Sequence, residues 1–178
     1  ASVLISSRDR GRAEDAAAKL PVAGKAEHRG VELNHMEADS VESGFAEAVE
    51  SAGKIDVVVN NGNEALGKDL TSVTHEEFSH VLVNATGYFT LARLFHDHVV
   101  KREASGSVIM LGSMYGQVAS YPDAYEGLGP ASPVGYHTLK GGIIHLTRHL
   151  AIYWAKDRVR VNCLSPGPFP FNAPAEVV

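Results

Sequence analysis

Five short apolar runs, the first four each followed by a stretch with helical patterning, constrain this chain more than anything else in it. "SVLISS" (2–7), "VELNHM" (31–36), "IDVVVN" (55–60), "GSVIMLGS" (106–113) and "RVRVNCL" (158–164) read as strands. Between the first two lies "RDRGRAEDAAAKL" (8–20), an alanine-rich helical stretch ended by Pro21. Residues 40–52 read as a helix with Val41, Phe45 and Val49 on one stripe. Thr74 and Glu77 form a capping box ahead of a long helix to about residue 102, and a further helix spans 134–156. "IDVVVN" is apolar without alternation, as a strand covered on both faces must be. Strands alternating with helices imply parallel strands joined by right-handed crossovers, with helices on both sides. The expectation is an α/β, doubly wound parallel sheet in three α/β/α layers, with residues 1–178 as a single domain.

Composition removes several function classes. The net charge is −5 and the two signs are interleaved, so the basic footprint of a nucleic-acid binder is missing. The apolar runs fall far short of a membrane span. Cys163 is the single cysteine, which rules out an internal disulfide and fits a reducing cytoplasm; within a strand it reads as a small core residue. The chain has no initiator Met and enters a strand almost at once, which leads us to expect missing upstream residues, and "FNAPAEVV" stops without a closing element.

The chemistry starts at "VGYHTLKGG" (134–142). Tyr136 and Lys140 are one helical turn apart and share a face. A phenol with a pKa near 10 exchanges protons poorly at neutral pH, and a neighbouring cation corrects that. In doubly wound sheets ligands sit outside the carboxyl ends of the strands. Ser7 and Arg8 follow the first run, Asp39 the second, and Asn60, Asn61 and Gly62 the third; Ser113 ends the fourth, and Pro166 and Gly167 follow the fifth. The loop 114–133, rich in Gly, Pro and Tyr, is long enough to be read as a functional lid.

On these residues the chain resembles the short-chain dehydrogenase/reductase family of nicotinamide-dependent Rossmann enzymes. "DVVVNNGN" resembles its Asn-Asn-Ala-Gly segment, "VLVNATG" its helix asparagine, and "IMLGSMYG" its active-site serine strand. "YHTLK" matches its Tyr-x-x-x-Lys and "VRVNCLSPG" its Asn-x-x-x-Pro-Gly turn. The resemblance implies Tyr136 as general acid and base, and Lys140 lowering its pKa and binding the nicotinamide ribose. It implies Ser113 holding the substrate oxygen, Asn84 supporting a water that links Lys140 to solvent, and Tyr115 near the substrate. It implies Asp39, Asn60, Asn61, Gly62, Pro166 and Gly167 around the cofactor. Ser7 and Arg8 stand where an NAD enzyme carries a carboxylate, and a hydroxyl beside a guanidinium suits a 2′-phosphate, which favours NADP(H) over NAD(H). Asp9, one step beyond, reads as a helix N-terminal charge, and NAD(H) stays open. The family also implies homodimers or homotetramers through the 74–102 and 134–156 helices.

Three departures qualify the match. No Gly-x-x-x-Gly-x-Gly lies between a strand and a helix; "GLGP" (127–130) lacks that context, so the usual pyrophosphate cradle is not in these residues. "NNGN" places Asn63 where a glycine is usual, a residue that tolerates left-handed backbone angles. Ser113 and Tyr136 are widely spaced, and the added loop carries Tyr121, Asp123, Tyr125 and Glu126. Similar insertions occur in members resembling gluconate 5-dehydrogenases and other sugar-modifying oxidoreductases, so the expected partner is a small polyhydroxylated substrate. "PFPFNAP" after Gly167 lacks the threonine often found there. His145 and His149 have the spacing of a ligand pair but no third partner, so no metal is expected. The competing reading, resting on the missing cradle and the altered "NNGN", is a non-catalytic or truncated cofactor-binding or interaction domain.

Overall fold

The computed structural model describes residues 1–68, 70–127 and 132–167. Its elements run in the anticipated order: β1 (Val3–Ser7), α1 (Arg10–Ala18), β2 (His28–Glu32), α2 (Ala38–Ala52), β3 (Val57–Asn60), α3 (His75–Lys101), β4 (Gly106–Leu111), α4 (Val134–Trp154) and β5 (Val159–Leu164). All strand pairs are parallel. They form two ladders: β1 with β2, and β3–β4–β5 in that order. β1 and β3 are not hydrogen-bonded to each other, and β3 is covered on one face, not on both as its apolar run implies: Val57 and Val59 are each 53% exposed while Val58 and Asn60 are buried.

Local chemistry accounts for the element ends. Asp9 caps α1, its carboxylate accepting from the Arg12 amide at 2.8 Å, so this charge belongs to the helix terminus. Thr74 and Glu77 close the anticipated box at the start of α3 in both directions. The second strand is displaced from its expected span of 31–36. It pairs residue for residue with β1 from His28 to Glu32, Leu33 adds one bond to the Ser7 carbonyl, and the chain then turns as the Glu37 amide reaches the Asn34 carbonyl. Its register is set by β1 and by α1, which lies so close that a Cβ at Gly30 would sit 2.3 Å from the Glu14 amide nitrogen.

The main core lies between β3–β4–β5 and the long helices. Phe95 and Val99 of α3, Val108 and Met110 of β4, and Ile143 of α4 are all essentially inaccessible. Gly106 lets β4 start against α3, since a Cβ there would meet the Phe95 ring at 2.7 Å. His96 and His98 leave α3 on different sides: His96 stacks on Trp154, whereas the Nε2 of His98 accepts from the Ile55 amide. His149 packs against Tyr153, and among the described residues no group of three His, Cys, Asp or Glu is placed to hold a metal. Nor, among them, is any helix long and apolar enough to cross a membrane.

Candidate active site

The site lies along the carboxyl ends of the strands and has two connected parts. The first is a cleft of about 440 Å³ between β1 and β3, which runs from Leu4 along β1 to Arg8 and opens past the strand tips. Ser7, Arg8, Asn60, Asn61 and Gly62 line it together, with Asn63, Glu64, His35 and Tyr88. A larger hollow of about 760 Å³ lies beside Asp56, Val57 and Ser105–Ser107, largely toward the amino ends of β3–β5 and away from these groups.

Asp39 does not join the cleft. With β2 ending at Glu32, Asp39 falls in the first turn of α2, exposed, where it complements the helix dipole. The residue that β2 delivers instead is His35. Its Nε2 lies 2.7 Å from the Asn84 Oδ1, which also accepts from the Glu64 amide at 2.8 Å. The Asn84 Nδ2 donates to the carbonyls of Val81 and Glu64. That double donation fixes which end of the amide is oxygen, so His35 must be the donor in its contact. Asn84 is 1% exposed and its side chain ties three segments together. Two glycines far along the chain make room for His35: a Cβ at Gly62 would meet its ring at 2.7 Å, and one at Gly87 its carbonyl oxygen at 1.9 Å. Gly62 therefore answers first to His35. Asn63 does not use a left-handed angle, since Glu103 and Arg158 are the non-glycine residues with positive φ among those described.

Across the cleft mouth, the Arg8 guanidinium contacts the Glu64 carboxylate at 2.7 Å, and the His80 Nε2 contacts its other oxygen at the same distance. The His80 hydrogen bond, with the nearby Arg8 charge, holds the Glu64 carboxyl below the usual carboxylate range. Ser7 Oγ accepts from the Asp9 amide at 3.3 Å. Asn60 is buried, donating to the Tyr88 carbonyl and to the Met110 sulfur.

The second part is built on α4. Lys140 is 4% exposed, and its Nζ donates to the Leu111 carbonyl at 2.7 Å. The same Nζ lies 5.5 Å from the centre of the Tyr136 ring, so one turn of helix does place phenol and amine together. Burial pushes the amine below the ordinary lysine value. Ser113 lies just past β4, where its Oγ accepts from the Tyr115 amide and caps a 3-10 turn, Met114–Gly116. That turn packs on α4 at Lys140 itself: a Cβ at Gly116 would fall 2.6 Å from the Lys140 carbonyl oxygen. The Met114 amide donates to the Pro166 carbonyl, bringing the Pro166–Gly167 turn to the same place. Tyr115 pairs its hydroxyl with that of Tyr125 in the loop and sets its ring against His137. Residues 128–131 of the loop and the "PFPFNAP" segment lie outside the described residues.

Tyr88 joins the two parts. It lines the cleft and also faces Lys140, and its sequence gives no sign of this because an aromatic in a long amphipathic helix reads as core.

The arrangement is that of parallel α/β ladders with a partly polar cleft and a Tyr–Lys pair toward the carboxyl rim. Comparison with known proteins agrees. The fold matches a short-chain type dehydrogenase/reductase from Mycobacterium marinum with a TM-score of 0.82 at 24% identity, covering 93% of this chain and 64% of that one. The chain also matches the family described as "Enoyl-(Acyl carrier protein) reductase" over residues 1–177. It belongs to the short-chain dehydrogenase/reductase family. A D-arabinitol 2-dehydrogenase (ribulose-forming) of Scheffersomyces stipitis is 34% identical over 137 residues, 75% of this chain and 46% of that protein. An NADP-dependent mannitol dehydrogenase of Hypocrea jecorina is 30% identical over 167 residues, 93% of this chain and 59% of that protein. The chain thus spans about half the length of the curated relatives it matches.

Proposed function

We propose that this chain carries the catalytic and much of the cofactor-binding machinery of an oxidoreductase that interconverts an alcohol and a ketone on a small polyhydroxylated molecule. The carrying observation is the Lys140 amine at 5.5 Å from the Tyr136 ring, buried beside the turn that Ser113 begins. In this reading Tyr136 gives a proton to the substrate oxygen in reduction and takes it in oxidation. Lys140 favours the phenolate by its charge, and Ser113 holds the oxygen on which negative charge develops. The nicotinamide cofactor, when bound, supplies or accepts the hydride.

The residues present fit such a cofactor in part. Ser7, Arg8, Asn61 and Gly62 offer polar and permissive surface along one cleft. A guanidinium and a hydroxyl at the β1 tip favour the 2′-phosphate of NADP(H), a preference in keeping with the printed name of the mannitol dehydrogenase. Asn84 in this proposal serves as a positioning residue, its side chain clamping the loop that carries Asn61 and Gly62.

For the substrate, the hydroxyls of Tyr115 and Tyr125 meet above the Ser113 turn, with Tyr121, Asp123 and Glu126 nearby in sequence. A loop carrying hydroxyls and carboxylates suits a polyol or sugar acid better than an acyl chain, and two relatives are named for arabinitol and mannitol. Exposed apolar residues on α3 (Phe89, Val100) and α4 (Ile152, Tyr153) support a homodimer or homotetramer through these helices, and the lone cysteine supports a cytoplasmic setting. The test is turnover with NADP(H) and NAD(H) on a panel of pentitols, hexitols, sugar acids and apolar ketones. Turnover confined to apolar ketones would remove the substrate assignment, and absence of nicotinamide binding would remove the cofactor assignment.

A further inference from the structure

Lys140 presents a problem that the proposed chemistry does not answer. Its ammonium is nearly inaccessible, and among the described residues it has no carboxylate partner. One carbonyl, that of Leu111, accepts from it. A buried charge with so little compensation is costly. The missing compensation is aromatic: Nζ lies 5.7 Å from the centre of the Tyr88 ring and 5.5 Å from that of Tyr136. Tyr88 stands on α3 and Tyr136 on α4, so the cation is flanked from two helices.

We propose that Tyr88 is a positioning residue of the site, whose ring holds the Lys140 ammonium against Tyr136 while its hydroxyl is dispensable. The ring of Tyr88 is itself held, edge-on to His35 with centroids 6.5 Å apart, and the residue is 2% exposed. Its hydroxyl oxygen is buried and has no hydrogen-bond partner among the described residues. If the hydroxyl anchored the site, such an orphan would be an expensive way to do so; as the tail of a useful ring it is tolerable. An ammonium facing an aromatic surface is attracted by the ring quadrupole, and the attraction grows when water is excluded. The other groups placed near this amine are Tyr136 on its own helix, Cys163 from β5 and the Leu111 carbonyl from β4, while the Ser113–Gly116 turn packs on the Lys140 backbone. None is anionic at neutral pH in its ordinary state, which leaves the two rings to support the charge beside the single Leu111 hydrogen bond.

The inference rests on the Tyr136–Lys140 reading above, and its test has one arm that needs no activity. The Lys140 amine is titrated by NMR in protein carrying labelled lysine, for the unsubstituted chain, Tyr88→Phe and Tyr88→Leu. Tyr88→Phe is expected to leave the titration in place, and Tyr88→Leu to lower the proton affinity of the amine by about tenfold. In turnover assays, Tyr88→Phe should keep the pH profile, whereas Tyr88→Leu should move the Tyr136 limb to higher pH because less positive charge supports the phenolate. Replacing Tyr88 with pentafluorophenylalanine keeps the shape, inverts the quadrupole and should shift the titration as leucine does, which covers the case of a leucine variant that does not fold. Equal titration in all four proteins, or a shift in Tyr88→Phe as large as in Tyr88→Leu, overturns the proposal. Loss of turnover in every protein, with the titration shifts present, would instead fail the catalytic reading and leave the ring's role standing.

Discussion

The Arg8 guanidinium spans the mouth of the cleft to reach the Glu64 carboxylate at 2.7 Å, from the tip of β1 to the loop after β3. The group proposed to receive a 2′-phosphate is therefore already neutralised by an internal anion. An incoming phosphate must take Arg8 from Glu64 and then lie near a carboxylate that repels it.

Glu64→Gln is accordingly expected to tighten NADPH binding while leaving NADH nearly unchanged. Arg8 is well exposed, so the competing pair is a weak one, and the gain should be modest, up to about fivefold. Arg8→Leu should act oppositely, weakening NADPH by at least about tenfold and erasing the preference. Titrations followed by nicotinamide fluorescence check both. Because the Glu64 carboxyl is held low, the ion-pair contribution is full above the unfolded carboxylate value and is lost as pH falls through the folded one, so the effect of Glu64→Gln should disappear in acid.

Tyr136→Phe removes the proposed proton carrier and nothing the core needs, since the residue is only partly buried. Turnover should fall by at least about a hundredfold, the scale of general acid–base assistance, with the melting temperature within a few degrees. Paired activity and thermal-melt measurements decide it; full activity in this variant would end the catalytic assignment.

Lys140→Met should separate stability from function. Burial lowers the lysine's proton affinity, so between the folded and unfolded values the unfolded chain binds more protons and stability rises with pH. Near neutrality the native chain carries the burdened charge, and the isosteric apolar residue removes it. The variant should unfold at higher urea concentration at pH 7, lose that advantage as pH approaches the ordinary lysine value, and be inactive. A urea series at several pH values measures this.

Gly87→Ala tests the His35 clamp. In an ordinary helix interior this change gains roughly 1 kcal/mol. Here the new Cβ would lie 1.9 Å from the His35 carbonyl oxygen, a backbone atom that cannot swing away. Overpacking of that kind costs roughly 1–3 kcal/mol, so the net sign reverses. Denaturant unfolding should show a loss, and the His35 and Asn84 resonances should shift; a stabilised variant would show that the loop yields.

Much of the site could be read from the residues in order. Tyr136 and Lys140 meet because the spacing of a helix requires it, and Ser7, Arg8, Asn60, Asn61 and Gly62 share a cleft because parallel strands present their carboxyl ends to one rim. Thr74 and Glu77 cap α3 by local chemistry alone. Asp39 is the instructive case on the other side. Its position followed from a strand read as 31–36, and no local signal distinguished that from 28–32, where pairing with β1 sets the register.

The alternation of apolar runs and amphipathic stretches, on its own, determined a parallel α/β architecture and its order of elements, because those periodicities act over a few residues. Only the tertiary structure decided that His35 replaces Asp39 at the cleft, that Glu64 holds Arg8, and that Tyr88 completes the surroundings of Lys140. Each of those contacts joins residues about fifty positions apart, and such contacts depend on how helices lie over strands, which no short-range pattern encodes.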